Sequence, residues 1–253
     1  RTLFSNTTAS DNTAVGFEGL FDNTTGASNT AVGFKSLANN TTASNNTAVG
    51  YTALEHNTIG TGNTSVGFRA GAENETGGSN TGLGQDALRF NTASNNTAVG
   101  YQSLYANTTG QENTAIGQVS LTANTEGSYN TAVGRTALYS NSTGQSNTSV
   151  GQGSLQNNTT ASNNTAVGYQ AGYSNTTGEK NTVLGYQALR TNTTGDRTVA
   201  IGHSALYTQN FTGGEISYNT AVGFESMYNL STGTSNTALG YQAVMELRLE
   251  QVM

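Results

Sequence analysis

The sequence predicts an all-β protein, a β-solenoid of short stacked coils, and three observations lead to this prediction. A 17-residue unit close to NTAVGYQALYANTTGxx recurs along nearly the whole chain. The 253 residues include 32 Gly and no Pro, which suits uninterrupted strand pairing because Pro removes a donor from a strand ladder. Only 34% of the residues are hydrophobic and 9% are charged. Units of this composition and strict period are expected to pack mainly on their neighbours.

The first Asn of each unit, the marker Asn, defines the period. The markers are Asn12, Asn29, Asn46, Asn63, Asn80, Asn96, Asn113, Asn130, Asn147, Asn164, Asn181, then Thr198 in the equivalent place, then Asn219 and Asn236. The spacing is 17 residues, except 16 after Asn80 and 21 after Thr198. We therefore predict a single repeat domain over residues 1–244 with about fourteen 17-residue coils, roughly 65 Å long at the spacing of paired strands.

Each segment of the unit has its own predicted role. In NTAVG the Thr and Val face one side of a strand and the Ala the other, and we predict that the Val row, from Val15 to Leu239, forms an interior apolar stack. The Gly that follows in every copy predicts a corner with positive φ or close backbone approach. A Leu row comes next, replaced by Gly in two copies, Gly71 and Gly172. The Asn-Thr-Thr-Gly segment suits a second corner. Two short strands and two corners per coil are expected.

The small apolar core of each coil indicates that other interactions must also stabilise the fold. One Val and one Leu per coil bury little apolar surface against the entropy of ordering 17 residues. We therefore expect Asn and Thr stacks between coils. We also expect several chains to associate, each adding its Val and Leu rows to a shared centre.

The repeat resembles a known family. The copy TVAIGHSA at 198–205 is similar to the NSVAIGxxA signature of head repeats in YadA-type trimeric autotransporter adhesins, and the NTAVGYQA copies resemble variants of it. The resemblance extends from about Asn12 to Ala243. It implies a left-handed parallel β-roll in which three chains wind around a common axis, exposed on a cell or virion surface. Related NTAVGYQAL arrays are found in bacteriophage tail-fibre proteins, including those of cyanophages.

Two features differ from that family's pattern. The period is longer here, because an Asn-Thr-Thr-Gly corner is added, so larger outer loops are expected. Thr also replaces the inward Val of the signature in nearly every copy, which argues against a wholly dry core.

No catalytic, cofactor-binding or metal site is predicted, and we expect no enzyme activity. Glu73 and Glu75 lie two apart in one corner, where a solvated pair is the favoured interpretation. His203 takes a position usually held by Phe or Tyr, and His56 lies in a corner. Neither has a recurring Asp, Glu or Cys partner, so surface or packing roles are favoured over ligation or catalysis. Sequons such as the one at Asn23 are interpreted as structural corners.

The net charge and the hydropathy of the chain argue against two kinds of partner, nucleic acid and the interior of a membrane. The net charge of −6, with no basic cluster, argues against nucleic acid. No apolar run approaches the ~20 residues of a membrane span, so no membrane insertion by this segment is predicted.

Two segments depart from the repeat. The 21-residue step adds a loop at 208–217, predicted to project as a contact site for a receptor or a neighbouring chain through Asn210, Phe211, Glu215 and Ile216. A neutral loop elaboration is the alternative. Residues 245–253, MELRLEQVM, contain helix formers with apolar residues at i, i+4 and i+7, a pattern that fits the start of a helical neck or stalk.

The sequence thus favours a non-enzymatic structural and adhesive fibre segment, on a virion surface or extracellular. A phage tail fibre that presents or performs host attachment is the first hypothesis, with self-association as a homotrimer and a host glycan or protein receptor as partner. A bacterial trimeric adhesin head is the alternative, and the two differ in what lies beyond the ends. A third hypothesis is ice binding by regular Thr rows. An argument against ice binding is that the Thr of NTAVG lies on the same face of the strand as the Val predicted to be in the core.

Overall fold

A computed structural model describes residues 1–211 and 213–244, and within them the protein is all-β and without helix. Each repeat contributes one three-residue strand. The strands are β1 Thr13–Val15, β2 Thr30–Val32, β3 Thr47–Val49, β4 Thr64–Val66, β5 Thr81–Leu83, β6 Thr97–Val99, β7 Thr114–Ile116, β8 Thr131–Val133, β9 Thr148–Val150, β10 Thr165–Val167, β11 Thr182–Leu184, β12 Val199–Ile201, β13 Thr220–Val222 and β14 Thr237–Leu239. The segment 245–253, where a helical neck was predicted, lies outside the described residues.

The chain divides into two compact units, Arg1–Asn130 and Thr131–Met253. In the first unit, strands β1 to β7 pair in sequence order, parallel and in register, so that Thr13 lies beside Thr30 and Val15 beside Val32. Strands β8 to β14 pair in the same way in the second unit. Each unit is a parallel β-solenoid, which confirms the predicted class. The single domain over 1–244 stays a prediction.

The second strand expected in each coil is absent from the described residues. The segment after the corner Gly turns repeatedly instead, because alternate residues such as Lys35 (φ 52°) and Leu37 (φ 50°) are left-handed. Because the left-handed residues alternate with the others, the backbone still forms hydrogen bonds to both neighbouring coils. The Lys35 N–H donates to the Phe17 carbonyl of the preceding coil at 2.8 Å, and the Leu37 N–H donates to the Ala53 carbonyl of the following coil at 3.0 Å. Inter-coil hydrogen bonding therefore needs only one extended segment per coil.

The prediction that the Val row is interior is wrong for the single chain. The central Ala of the strand points into the coil, and Ala31 and Ala48 are fully buried together with Leu37 and Leu54. The small inward side chain lets the Leu row pack close to the sheet: a Cβ added at Gly82, in the Ala position, would lie 3.4 Å from Leu88 Cδ1. The Leu row thus faces the Ala row, while Thr and Val lie on the outer side.

The corner Gly has the predicted role. Gly100 has φ 130°, and an added Cβ would lie 2.7 Å from the carbonyl oxygen of Gly117 in the next coil. This combines a φ that L side chains rarely adopt with a backbone contact too close for any side chain.

Two Asn rows supply the polar stacks that were predicted. One consists of the marker Asn residues; the other, the corner Asn row, consists of the Asn of Asn-Thr-Thr-Gly. Asn40 Nδ2 donates to Asn23 Oδ1 at 2.8 Å and to the Ala43 carbonyl at 3.0 Å, and Asn57 Nδ2 donates to Asn40 Oδ1 at 3.0 Å. In the marker row, Asn29 Oδ1 accepts the backbone N–H of Asn46 at 2.9 Å. Burial of Asn40 is stable because its donors and its acceptor are paired.

Candidate contact surfaces

The Asn rows are not available as contact surfaces. Asn23, Asn40 and Asn57 are fully buried, so these Asn side chains lie inside the coils. The sequon at Asn23 is a structural corner, as predicted, because its Nδ2 donates to Asn6 Oδ1 and to the Gly26 carbonyl. Surface contacts must come from other rows.

The first exposed surface is the strand face, defined as the first and third side chains of each strand. The first is Thr in every strand except β12, where it is Val199, and the third is Val, Leu or Ile. Leu83 and Leu184 are each 47% exposed, although their strands are paired on both sides, and Ile116, in a strand paired with β6, is 40% exposed. No charged side chain interrupts this face in any described strand. The result is an uncharged, partly apolar surface that repeats at every coil.

The second surface is the aromatic row, the residues directly after the corner Gly. In the first unit Phe17, Phe34, Tyr51 and Phe68 stack with centroids 5.0–5.3 Å apart and interplanar angles of 8–14°. The second unit has a corresponding stack of Tyr169, Tyr186, His203, Phe224 and Tyr241. Because the rings face one another along the row, their faces are largely covered and their edges point outward. The row stabilises neighbouring coils and offers few free ring faces for a sugar.

The predicted packing role of His203 is confirmed by this stack. Its ring lies between those of Tyr186 and Phe224, with centroids 4.9 and 4.8 Å away. His56 has polar neighbours instead: Nε2 is 3.7 Å from Glu73 Oε2 and Nδ1 is 3.1 Å from Asn39 Nδ2. Both side chains of the His56–Glu73 pair are about two-fifths exposed, which favours the surface role predicted for them.

Within the described ranges, no three His, Cys, Asp or Glu side chains come together in a way that could hold a metal ion. The most buried charged cluster is an ion triad in the first unit. Asp86, 1% exposed, lies 2.8 Å from Arg69 Nε and 3.9 Å from Arg89 Nη1. Burial of a carboxylate is tolerated here because two guanidinium groups compensate it.

The third surface is the outer row, the residues that directly follow the Leu row. In the second unit it includes Tyr173, Arg190, Tyr207 and Tyr228. The guanidinium carbon of Arg190 lies 5.4 Å from the Tyr173 ring centroid and 5.8 Å from that of Tyr207. The Tyr207 and Tyr228 rings stack at 5.1 Å. The sequence analysis did not single out Arg190. It could have been noticed because an Arg stands in the row between Tyr173 and Tyr207.

The 208–217 loop differs from its predicted form. Phe211 was expected to be exposed but is only 3% exposed, and its Cδ2 is 2.6 Å from where a Cβ on Gly195 would stand. The absence of a side chain at Gly195 therefore makes room for the Phe211 ring, which corrects the predicted role of that residue. Ile216 is 40% exposed and forms a parallel bridge with Asp196.

The other two predicted loop residues have local partners. Asn210 Oδ1 accepts from Thr193 Oγ1 at 2.9 Å, and the exposed Glu215 accepts the Gly213 N–H at 3.0 Å. The four residues therefore do not form one exposed apolar patch, since Phe211 is buried. Whether the remaining exposed residues contact a partner stays a prediction.

The same coil contains a paired replacement in the Asn rows. Thr198 stands in the marker row and Gln209 in the corner Asn row, and Gln209 Nε2 donates to Thr198 Oγ1 at 3.1 Å. Gln209 Oε1 accepts from Asn219 Nδ2 at 2.8 Å. The longer Gln reaches across the space left by the shorter Thr, so the buried polar network stays paired.

Comparison with known proteins gave no significant match to a family model, to a curated protein or to a solved structure. The resemblance to YadA-type repeats therefore rests on the repeat motif and stays a prediction. In the described part of the chain, no helix has the length and apolar character needed to cross a membrane.

Proposed function

We propose that this chain is a non-enzymatic structural and adhesive segment of a surface fibre, of the kind found in phage tail fibres. Three copies associate through their strand faces and together carry a host-attachment surface on the outside of the virion. The strand face carries the proposal, because it is an uncharged, partly apolar surface that a single chain leaves at least partly exposed at every coil.

The composition of the strand face favours a second copy of the same chain as its partner. Exposed apolar surface repeated over many coils is unusual for a monomer and is typical of an interface. The face has no charged residue, so identical copies can approach without repulsion. In a parallel symmetric assembly, each Thr or Val row meets the corresponding row of its neighbour, and every coil contributes.

Association through the strand faces would give a shared centre whose composition differs from the one predicted from the sequence. The Leu row lies in the core of its own coil, opposite the strand face, so only the Val row is available to other chains. The Thr residues on the same face would bring hydroxyl groups into the centre. This agrees with the expectation that the centre is not wholly dry.

The proposal is tested by solution mass and by attachment to cells. We expect a mass three times the 26.1 kDa of one chain, and binding of the labelled assembly to some members of a panel of bacterial cells. Heat-denatured protein is the control for unspecific adhesion. A chain that is monomeric at micromolar concentration, or an assembly that attaches to none of the cells, contradicts the proposal.

Ice binding is the second candidate, because the objection raised from the sequence no longer holds. The Val beside each Thr is not in the core of the coil, and the Thr rows repeat at the ~4.8 Å spacing of paired strands on a face that a monomer exposes. The two functions exclude each other on this face, since an associated chain covers it. Thermal hysteresis from a monomer would support ice binding, whereas a trimer without hysteresis would support the fibre.

A further inference from the structure

Arg190 is a half-buried cation held by neutral groups. Its Nε donates to Gln170 Oε1 at 3.1 Å and its Nη1 to the Tyr207 hydroxyl at 3.3 Å, while the Tyr173 and Tyr207 rings flank it. Among the described residues, no carboxylate lies within 4.0 Å of it. These two bonds use two of the five N–H donors of a guanidinium. The remaining donors are held in place by a half-buried, preorganised side chain.

Arg89 provides an internal comparison. It also follows a Leu, lies 5.9 Å from the ring centroid of a Tyr one coil further on, and donates from Nη1 to that residue, Tyr105, at 3.2 Å. The difference lies at the second residue after the corner Gly, which is Asp86 beside Arg89 but Gln187 in the Arg190 coil. The charge of Arg89 is therefore compensated within the protein at 3.9 Å, while Arg190 is surrounded by amide and phenol groups.

We propose that Arg190 binds the carboxylate of an acidic sugar residue, such as a uronic acid, in a surface glycan. The planar guanidinium matches the two oxygens of a carboxylate, and preorganisation reduces the entropy lost on binding. Gln187 and the Tyr207 hydroxyl offer groups that hydrogen-bond sugar hydroxyls. A nucleic acid or polyphosphate would require clustered cations, whereas the groups that hold Arg190 are neutral.

The position of Arg190 is compatible with the assembled fibre. It follows Leu189 in the segment that packs against the inner side of the strands, as shown by the 3.9 Å between Ala166 Cβ and an added Cβ at Gly172 in the Leu row. The outer row thus lies away from the strand face, so association through that face leaves Arg190 accessible. The inference rests on the proposed function in this respect: a trimer would present three such sites, and weak single contacts would combine.

The experiment measures binding of oligogalacturonate to the purified full chain, with a neutral maltooligosaccharide of equal length as the comparison. We expect binding of the uronate only. Arg190→Gln should weaken it about tenfold or more, as expected for loss of a charge-assisted contact. Gln187→Asp should weaken it similarly, because the new carboxylate would compensate Arg190 as Asp86 compensates Arg89. Arg89→Gln, with Arg69 still paired to Asp86, is the matched control and should leave binding unchanged.

Circular dichroism of each variant separates loss of the site from loss of the fold. A chain that does not bind the uronate, an Arg190→Gln variant that binds as well as the parent, or equal binding of dextran sulfate would each overturn the inference. The assay needs neither assembly nor cells, so its failure is distinguishable from failure of the fibre proposal. A trimer that attaches to cells but ignores the uronate would leave the fibre proposal in place and remove this inference alone.

Discussion

At the scale of single residues, the chain replaces much of the usual apolar core with buried amides. In the corner Asn row, the Asn158 side chain donates both to the preceding Asn and to a carbonyl of its own corner, and it accepts from the next Asn. The buried Oδ1 atoms of Asn74 and Asn175 lack such a partner among the described residues, so the row is paired over most of its length but not throughout. The sequence predicted that Asn stacks would contribute. It did not predict which Asn residues are buried, because adjacent residues such as Asn157 and Asn158 are chemically identical and only the coil geometry distinguishes them.

This pair gives a direct test of the Asn row. Asn158 is fully buried and bonds to Asn141 Oδ1 at 2.8 Å, to the Ala161 carbonyl at 3.0 Å and to Asn175 Nδ2 at 2.9 Å. Asn158→Ala leaves buried partners unpaired, and we expect the free energy of unfolding to fall by about 2–4 kcal/mol. Asn157→Ala, at a half-buried position next to it, should change it by less than about 0.5 kcal/mol. Urea unfolding followed by circular dichroism measures both, and equal losses would contradict a structural role specific to the row.

At the scale of one coil, the sequence predicts that successive side chains of the strand alternate between its two sides. It does not predict which of the two sides faces the interior of the coil. The period of two placed Thr and Val on one side and Ala on the other. Burial of Val is worth more than burial of Ala, so apolar content alone favours Val for the interior. The coil reverses this, since its interior is filled from the opposite side by Leu37, Leu54 and their equivalents. Arg190 could not be assigned a role from sequence for a related reason: its neutral surroundings depend on which rows lie side by side.

The corner Gly allows a prediction at the same scale. We expect Gly100→Ala to destabilise the first unit by about 2 kcal/mol or more, because the new Cβ would lie 2.7 Å from a backbone oxygen and φ is 130°. Gly62→Asn is the matched control. Its φ of 69° is left-handed and the nearest atom to an added Cβ is 3.8 Å away. Asn45 and Asn95 already occupy this position in other coils with φ 62°. Thermal melting should separate the two variants clearly, and similar melting temperatures would contradict the close-approach explanation.

At the scale of the whole molecule, core and exposed apolar surface are separated within a single strand. Ala132 is fully buried inside its own coil, whereas its neighbour Val133 lies on the strand face and is half-buried in the single chain. The resemblance to trimeric adhesin repeats and the limited apolar content of one coil both led to the prediction of several chains. The location of the uncovered surface came from the structure, because it depends on which side of the strand the Leu row covers.

Aspartate substitutions at Ala132 and at Val133 should have different effects, the first on folding and the second on assembly. Ala132→Asp places a carboxylate inside the coil without a paired cation, so we expect loss of the folded far-UV spectrum. In Val133→Asp the carboxylate can be solvated in a separate chain, so the spectrum should remain. Association through strand faces would bring equivalent carboxylates together in an uncharged interface, so the mass in solution should fall to that of a monomer. Gln152→Asp, at an exposed site of the next coil outside the strand face, controls for added charge and should keep both fold and mass. A Val133→Asp chain that still assembles as the parent does would show that the strand face is not the interface, and the exposed Val row would then require a partner other than this chain.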